Sequence, residues 1–486
     1  MASHDRVHDR ANDLIHRGRE LLVMALFVGA AGCANLTAPD DASIHEQALG
    51  AMAVPAEWSA VAATNAFRPQ WLGDADEQLQ ALIDEAVAHN PDLRVAASRL
   101  EQARLQMRLA GADLQPTVTL GGKYANSLQP ANGLDINGYG VVLNWELDLW
   151  GRARAEKKAG EAAYRSAEAD FAYARQSLAA MTARAWLLAV EATRQSELAT
   201  RIRDGANAQV ELMARRERIG KVSGQDVAAA RAQAQTFTEA AFQTEQGRQQ
   251  ALRTLELLVG RYPSASIAVP STLPGKLDPI PVGVPSDVIA RRPDLLAARK
   301  RYEQAFFNHE EARAARLPRI ALNLGAGHLT SEYLQFKDGL GSSVYPLGGK
   351  LLWPLFDAGR LKTQVGIRDE QQREAAADYA RTILTAFGEV ESAMAADALL
   401  QQRERSLTSQ VEALQQVLDA ANVQLRIGKV DRYEVLDREL ALDAARIALM
   451  RVATERRAQR ANLHLALGGD FGVPLQPGGP AAATGQ

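Results

Sequence analysis

The chain has 486 residues, 47% of them apolar and 23% charged, with a net charge of −3. That apolar content supports a large core and excludes wholesale disorder, and the faint negative charge excludes a basic nucleic-acid-binding scaffold. A single cysteine excludes both an internal disulfide framework and a cysteine-based zinc cluster.

The N-terminus reads as a targeting segment. Arg17 and Arg19 precede the apolar run 21–31, which has signal-peptide rather than membrane-spanning length. The run closes on Ala30-Ala31-Gly32-Cys33, small residues followed by a thiol that can accept a diacylglyceryl group, as in a bacterial lipoprotein signal. Residues 1–32 are therefore expected to be a signal peptide. Cys33 is the expected lipidation site, opening a lipidated N-terminal segment at 33–70. Ala34, where an Asp would favour the inner membrane, points to the outer membrane. No later run reaches the ~18 apolar residues of a transmembrane helix.

The rest of the chain is a duplication. Residues 91–103 align with 293–305 at an offset of 202, with eight of thirteen positions identical. After six extra residues between Pro318 and Trp353 the offset becomes 208, pairing Trp145 with Trp353, Gly151-Arg152 with Gly359-Arg360, and 218–222 with 426–430. Two repeats, 71–262 and 286–468, are joined by a Pro-rich connector, 263–285, and followed by a Gly- and Pro-rich tail, 469–486, expected to be disordered.

Each repeat opens with an expected helix, 76–114 or 286–316, stopped by Pro116 or Pro318. Strands are expected at 117–126 and 139–147, and again at 319–327 and 345–355, the last weakened by Pro346 and Pro354. A long helix follows, about 153–217 in the first repeat, roughly 98 Å at ~1.5 Å per residue. In it Tyr164, Ala167, Phe171, Ala174, Leu178, Met181, Ala185 and Leu188 alternate steps of three and four, a heptad seam for side-by-side packing. Arg-Ile-Gly-Lys-Val then turns the chain into another helix, with Gly220 and Gly428 at the left-handed C′ position.

The strands alternate: Val118, Leu120 and Tyr124 against Thr117, Thr119 and Lys123; Tyr139, Val141, Leu143 and Trp145 against Gly140, Val142, Asn144 and Glu146. Apolar-out, polar-in strands of this length suit an outer-membrane barrel. Four strands cannot close one, and open edges are not viable in lipid, so oligomerisation is expected; three copies give twelve strands. Trp145 and Trp353 are read as interface aromatics.

Asn90-Pro91-Asp92-Leu93, the run from Trp145 to Arg152, Pro285-Ser286-Asp287-Val288 with Arg291-Arg292-Pro293-Asp294-Leu295, Phe356-Asp357-Ala358-Gly359-Arg360 and the two Arg-Ile-Gly-Lys-Val turns together resemble a TolC-like outer membrane efflux factor of the NodT-type lipoprotein subfamily. The resemblance covers about 70–470. It implies a mainly α protein with a membrane β-barrel, built from a duplicated long-helix/β-hairpin repeat. In that fold a homotrimer combines a twelve-stranded β-barrel with an α-helical periplasmic barrel. It also implies an outer membrane duct of a tripartite efflux system, lipid-anchored, docked to a periplasmic adaptor and an inner-membrane pump.

The exposed turn tips should then mark the periplasmic entrance. Glu434 and Asp437, three apart on one helix face, would recur as acidic rings in a trimer, and they resemble the family's paired entrance aspartates, with Glu at the first position. Asp226 is the first-repeat candidate for the same constriction. The competing reading is of carboxylates stabilised near a helix N-terminus. Arg218, Gly220, Lys221, Arg426, Gly428 and Lys429 are candidate adaptor contacts, or equally a capping turn carrying solubilising charges. No phosphate loop, zinc motif or nucleophile-base pair occurs, so no enzyme, cofactor or metal is expected, and no nucleic-acid partner. The alternatives are a periplasmic adaptor lipoprotein, which should lack the duplicated strand pairs, and a coiled-coil structural envelope protein. The methionines are scattered, giving no metal path, and the cargo is not legible.

Overall fold

The computed structural model describes residues 36–50, 54–59, 77–123, 136–274, 277, 283–331, 343–469 and 471–472. Cys33, the expected signal peptide, most of the tail and both expected hairpin loops lie outside the described residues. The chain divides into two compact units. One comprises 1–50, 101–167 and 298–380, the other 51–100, 168–297 and 381–486.

The duplication is metrically strict in the long helices and in those that return from them. The long helices α4 (Arg152–Arg218) and α8 (Arg360–Arg426) are both 67 residues, and the returning helices α5 (Gly224–Leu258) and α9 (Arg432–Ala466) are both 35. Among the described residues no helix is long and apolar enough to cross a membrane.

The single helices expected at 76–114 and 286–316 are each broken. The first repeat has α2 (Glu77–His89) and α3 (Pro91–Ala112), the second α6 (Pro285–Arg291) and α7 (Pro293–Ala314). Pro91 and Pro293 cannot donate to the preceding turn and force the residue before them out of the helical region. Both breaks are put to use. Asn90 Oδ1 accepts from the Asp92 and Leu93 amides, capping α3, while its Nδ2 donates to the Leu258 carbonyl at 2.9 Å, near the end of α5. Its counterpart Arg292 donates to Ala466 O, the equivalent carbonyl of α9, at 3.1 Å.

In the first unit, α1 (Asp41–Leu49) lies within the expected lipid-bearing segment. It buries Ile44 completely and ties Asp41 to Arg299 at 2.6 Å, Gln47 to Tyr302 at 2.5 Å and His45 to Tyr379 at 3.0 Å. The sheet holds β1 (Thr117–Lys123), β2 (Ile136–Leu147), β3 (Arg319–Ser331), β4 (Ser343–Val344) and β5 (Leu347–Leu352). It is antiparallel in the order β1-β2-β3, with β4 and β5 both on the far side of β3. The last strand expected at 345–355 is thus split around Pro346, whose carbonyl still accepts from Gly325 N at 2.8 Å and bridges the gap in the ladder.

Register unites the repeats. Asn144 faces Asn323, Glu146 faces Ala321, and Thr117 faces Asn144, so Thr119, Asn144, Glu146, Asn323 and Lys350 share one face. Leu120 with Val141, Leu143 with Leu324, and Ile320 with Leu351 share the other. The first face is largely polar or glycine, although Val142 and Leu352 lie on it, and the second is largely apolar, although His328 lies on it.

The second unit packs α2 against α4 and α5 through Leu79, Ile83, Leu178, Trp186, Val190 and Leu255. Val259, just beyond α5, and Ile267 of the connector join the same cluster. Glu256 holds that connector, its buried carboxylate accepting from the Ala265, Ser266 and Ile267 amides at 2.6, 2.6 and 3.2 Å. Burial opposes its ionisation, but these donors outweigh it and hold its pKa below the ordinary value. The packed chain also reaches past the expected tail boundary at 469, since Phe471 is buried edge-on against His464.

The heptad period of α4 holds, but its seam is displaced. Met181 and Leu188, expected inside it, are exposed, although Leu178 and Ala185 are buried. The continuous buried line is Ala155, Ala159, Ala162, Ser166, Ala169, Gln176, Ala180, Ala183, Leu187 and Val190. It has the same alternating steps, with Tyr173 half-buried at the remaining position. Ser166 and Gln176 interrupt its apolar character, which is why the pattern of large side chains pointed two positions away.

Candidate functional site

The turns joining α4 to α5 and α8 to α9 lie in the second unit and are built alike. Lys221 N donates to Arg216 O at 2.9 Å and Gly220 N to Glu217 O at 2.8 Å. Lys429 N donates to Gln424 O at 2.9 Å and Gly428 N to Leu425 O at 3.1 Å. This is the Schellman arrangement, and it requires a left-handed residue, supplied by Gly220 at φ 72° and Gly428 at φ 74°. Arg218, Gly220, Lys221, Arg426, Gly428 and Lys429 are all exposed, as are Ile219 and Ile427 between them.

Beyond the turns the repeats diverge. Ser223 caps α5 in a full capping box with Asp226: the Asp226 amide donates to Ser223 Oγ at 3.2 Å, and the Asp226 carboxylate accepts from the Ser223 amide and hydroxyl, each at 2.8 Å. Those hydrogen bonds, the backbone one first, hold the Asp226 pKa below the usual carboxylate value. The carboxylate expected at a constriction is therefore engaged in closing its own helix end.

Glu434 occupies the equivalent position in α9. Its amide donates to Asp431 Oδ1 at 3.1 Å, but its carboxylate is directed elsewhere, lying 3.6 Å from Arg438. Asp437 is exposed, whereas Val435 and Leu436 between them are buried. The two acidic groups thus share the outward face of the helix, as their spacing predicts.

Asp431, which the sequence reading did not single out, does two things. Oδ1 caps α9, and Oδ2 accepts from Arg216 at 2.7 Å. The pair links the end of the first repeat's long helix to the start of the second repeat's returning helix. Arg216, foremost, holds the Asp431 pKa down; partial desolvation opposes it. The sequence signal was present: Asp431-Arg432-Tyr433-Glu434 is a capping signature following the turn, and it places a charge where the first repeat has Ser223.

This geometry contains no nucleophile poised on a base; among the described residues no cluster of three or more His, Cys, Asp or Glu could hold a metal ion. What it offers is an exposed pair of turns, an acidic helix face and an ion pair fastening one hairpin to the other.

The family model described as outer membrane efflux protein matches residues 82–261 and 284–469. The antibiotic efflux pump outer membrane protein ArpC of Pseudomonas putida is 30% identical over 406 residues, 82% of this chain and 84% of that protein. The outer membrane protein OprJ of Pseudomonas aeruginosa is 31% identical over 417 residues, covering 82% and 85%. The open-state crystal structure of the Neisseria gonorrhoeae MtrE outer membrane channel superposes with a TM-score of 0.75 at 27% identity, covering 87% of this chain and 97% of that one.

Proposed function

The chain belongs to the outer membrane efflux protein family, and on that premise we propose that three copies form the outer-membrane duct of a tripartite efflux system. The strands close a twelve-stranded barrel and the long helices a periplasmic channel ending at the turn tips. Cys33 carries the lipid anchor. The observation that carries this reading is the sheet. It has a largely apolar face, most of it exposed in the single chain, and among the described residues it leaves β1 on one side and β4 with β5 on the other as edges with no further strand beside them. Such a sheet is stable in lipid only when copies pair edge to edge. β4 and β5 together fill one strand position, so each chain contributes four. The exposed Met181 and Leu188, seven apart on α4, supply a second apolar line for a neighbouring copy.

The test is native mass and membrane fraction in mild detergent. A trimer extracted from the outer membrane is expected; a soluble or inner-membrane monomer would favour the adaptor or coiled-coil alternative.

At the entrance, three copies bring Glu434 and Asp437 around one axis. Preformed rings of like charge attract counter-ions and select among permeant ones. Replacing both by Ala is expected to change single-channel conductance and abolish cation preference in planar bilayers. Unchanged ion selectivity would remove them from the pore. Asp226 is the first-repeat candidate for the same constriction, and its carboxylate also caps α5.

The exposed turns are the surface offered to the periplasmic adaptor. Lys221→Glu with Lys429→Glu is expected to lower efflux severalfold, read as drug accumulation in cells, while trimer yield is unchanged. Full efflux by that variant would leave the turns with a capping role only.

A further inference from the structure

Where the sheet of the first unit meets its helices, a groove of about 720 Å³ opens between the end of β5 and the start of α8. Its size falls in the ~300–1,000 Å³ range of small-ligand sites. Trp150, Leu317, Trp353 and Leu355 form apolar walls, and Arg316 and Lys362 stand on its rim.

The charges around it are unequally satisfied. Arg313 pairs with Glu310 at 3.0 Å. The Asp357 carboxylate accepts from the Gly359 and Leu361 amides at 3.0 and 2.9 Å, at the start of α8. Trp150 is fixed by donating its indole N–H to Pro318 O at 2.7 Å. Arg316 and Lys362 are exposed, and among the described residues neither side chain has an ion-pair or hydrogen-bond partner. Two unpaired cations therefore flank an amphipathic aromatic wall.

The chain runs from the apolar face of the sheet into the groove. Leu347 and Leu351 of β5 lie on that face, and Trp353 and Leu355, which follow β5, line the groove, with Leu355 82% exposed. Leu36 lines the groove too, packed against Gly151, where an added Cβ would fall 2.9 Å from the leucine methyl, and its carbonyl accepts from Lys158. Cys33 precedes Leu36 by three residues, within ~11 Å of extended chain.

We propose that this groove binds the phosphodiester headgroup of a phospholipid from the periplasmic leaflet of the outer membrane. Arg316 and Lys362 hold the phosphate, and Trp150 and Trp353 lie along the glycerol and upper acyl chain. The proposal rests on the membrane-duct reading above, which puts the helix end of the sheet at the periplasmic water interface. There, Trp side chains settle at headgroup level, and Arg and Lys gain from phosphate contact in a partly desolvated setting. An anchor at Cys33 and a bound lipid beside Leu36 would fix the same depth in the bilayer from two directions.

The test uses the full-length trimer, purified in mild detergent and stripped of lipid, with binding read by native mass spectrometry. The probes are dioctanoyl phosphatidylglycerol, dioctanoylglycerol and inorganic phosphate. The phospholipid is expected to bind at up to one per chain. Arg316→Gln with Lys362→Gln should weaken it at least tenfold while the trimer stays intact, and neither dioctanoylglycerol nor phosphate alone should match it. Equal binding of dioctanoylglycerol would overturn the headgroup assignment, as would equal binding by the double variant. A trimer that takes up no lipid, because a second copy covers the groove, would also overturn it. Trp353→Ala, which keeps both cations, should weaken binding as well. A protein that is not trimeric or not in the outer membrane would instead fail the duct reading, so the two failures are distinguishable.

Discussion

Asp431→Asn and Arg216→Ala should each raise the open probability of the channel in planar bilayers at neutral pH. The pair joins the two hairpins of one chain at 2.7 Å, and both side chains are part-exposed. An exposed ion pair contributes only ~0.2–1 kcal/mol. In the proposed trimer three copies would make that ~0.6–3 kcal/mol, or a shift in the closed-to-open ratio of ~3- to ~150-fold. Asn is the informative replacement because it keeps the cap on α9 that Ala would lose at ~0.5–2 kcal/mol. The pH dependence has a definite sign. Arg216 depresses the Asp431 pKa, so the pair is fully present above the ordinary carboxylate value of ~3.9 and lost as pH falls through the lowered one. Wild-type channels should therefore open on acidification, and Asp431→Asn channels should lose that component. If both variants conduct as wild type at neutral pH, and acid acts equally on all three, the pair does not hold the entrance.

Arg292→Ala is expected to be the most destabilising single change in the second unit. The guanidinium is 2% exposed. It binds Asp294 at 2.7 and 3.0 Å, Glu389 at 2.7 Å and the Ala466 carbonyl at 3.1 Å. Breaking a buried pair by removing one partner typically costs ~3–5 kcal/mol, since the remaining charges are left uncompensated. The Ala466 carbonyl, at the end of α9, also loses its donor. Lys should rescue only in part, because a point charge cannot serve a bidentate carboxylate, a second acid and a carbonyl together. Thermal unfolding of the detergent-solubilised protein by circular dichroism measures this directly. A melting temperature unchanged in Arg292→Ala would mean that the two acids find other partners or solvent. Asn90→Ala, the matching change in the first repeat, removes only neutral hydrogen bonds and should cost less.

Much of this architecture is written locally in the chain. The period of the duplication sets equal helix lengths, because repeated spacing between stop signals repeats the elements between them. Pro91, Pro293, Gly220 and Gly428 act through their own backbone limits, and strand alternation needs only the two-residue pleat. That Glu434 and Asp437 share a helix face follows equally from helical spacing.

The tertiary structure decided what depends on a partner distant in sequence. Which stripe of α4 is buried was not legible, because Ser166 and Gln176 lie on it while Met181 and Leu188 remain exposed. Asp226 and Glu434 occupy equivalent positions, yet one carboxylate closes a capping box and the other does not, depending on how the side chains fold back. The Arg216–Asp431 pair joins residues 215 apart, and the Arg292 cluster gathers groups from three separate stretches. The sequence by itself determined the long helices, their turns, the duplication and the alternation of the strands, since these rest on short-range backbone and pattern rules. Only the fold decided register, seam and charge pairing, because each is set by which surfaces meet.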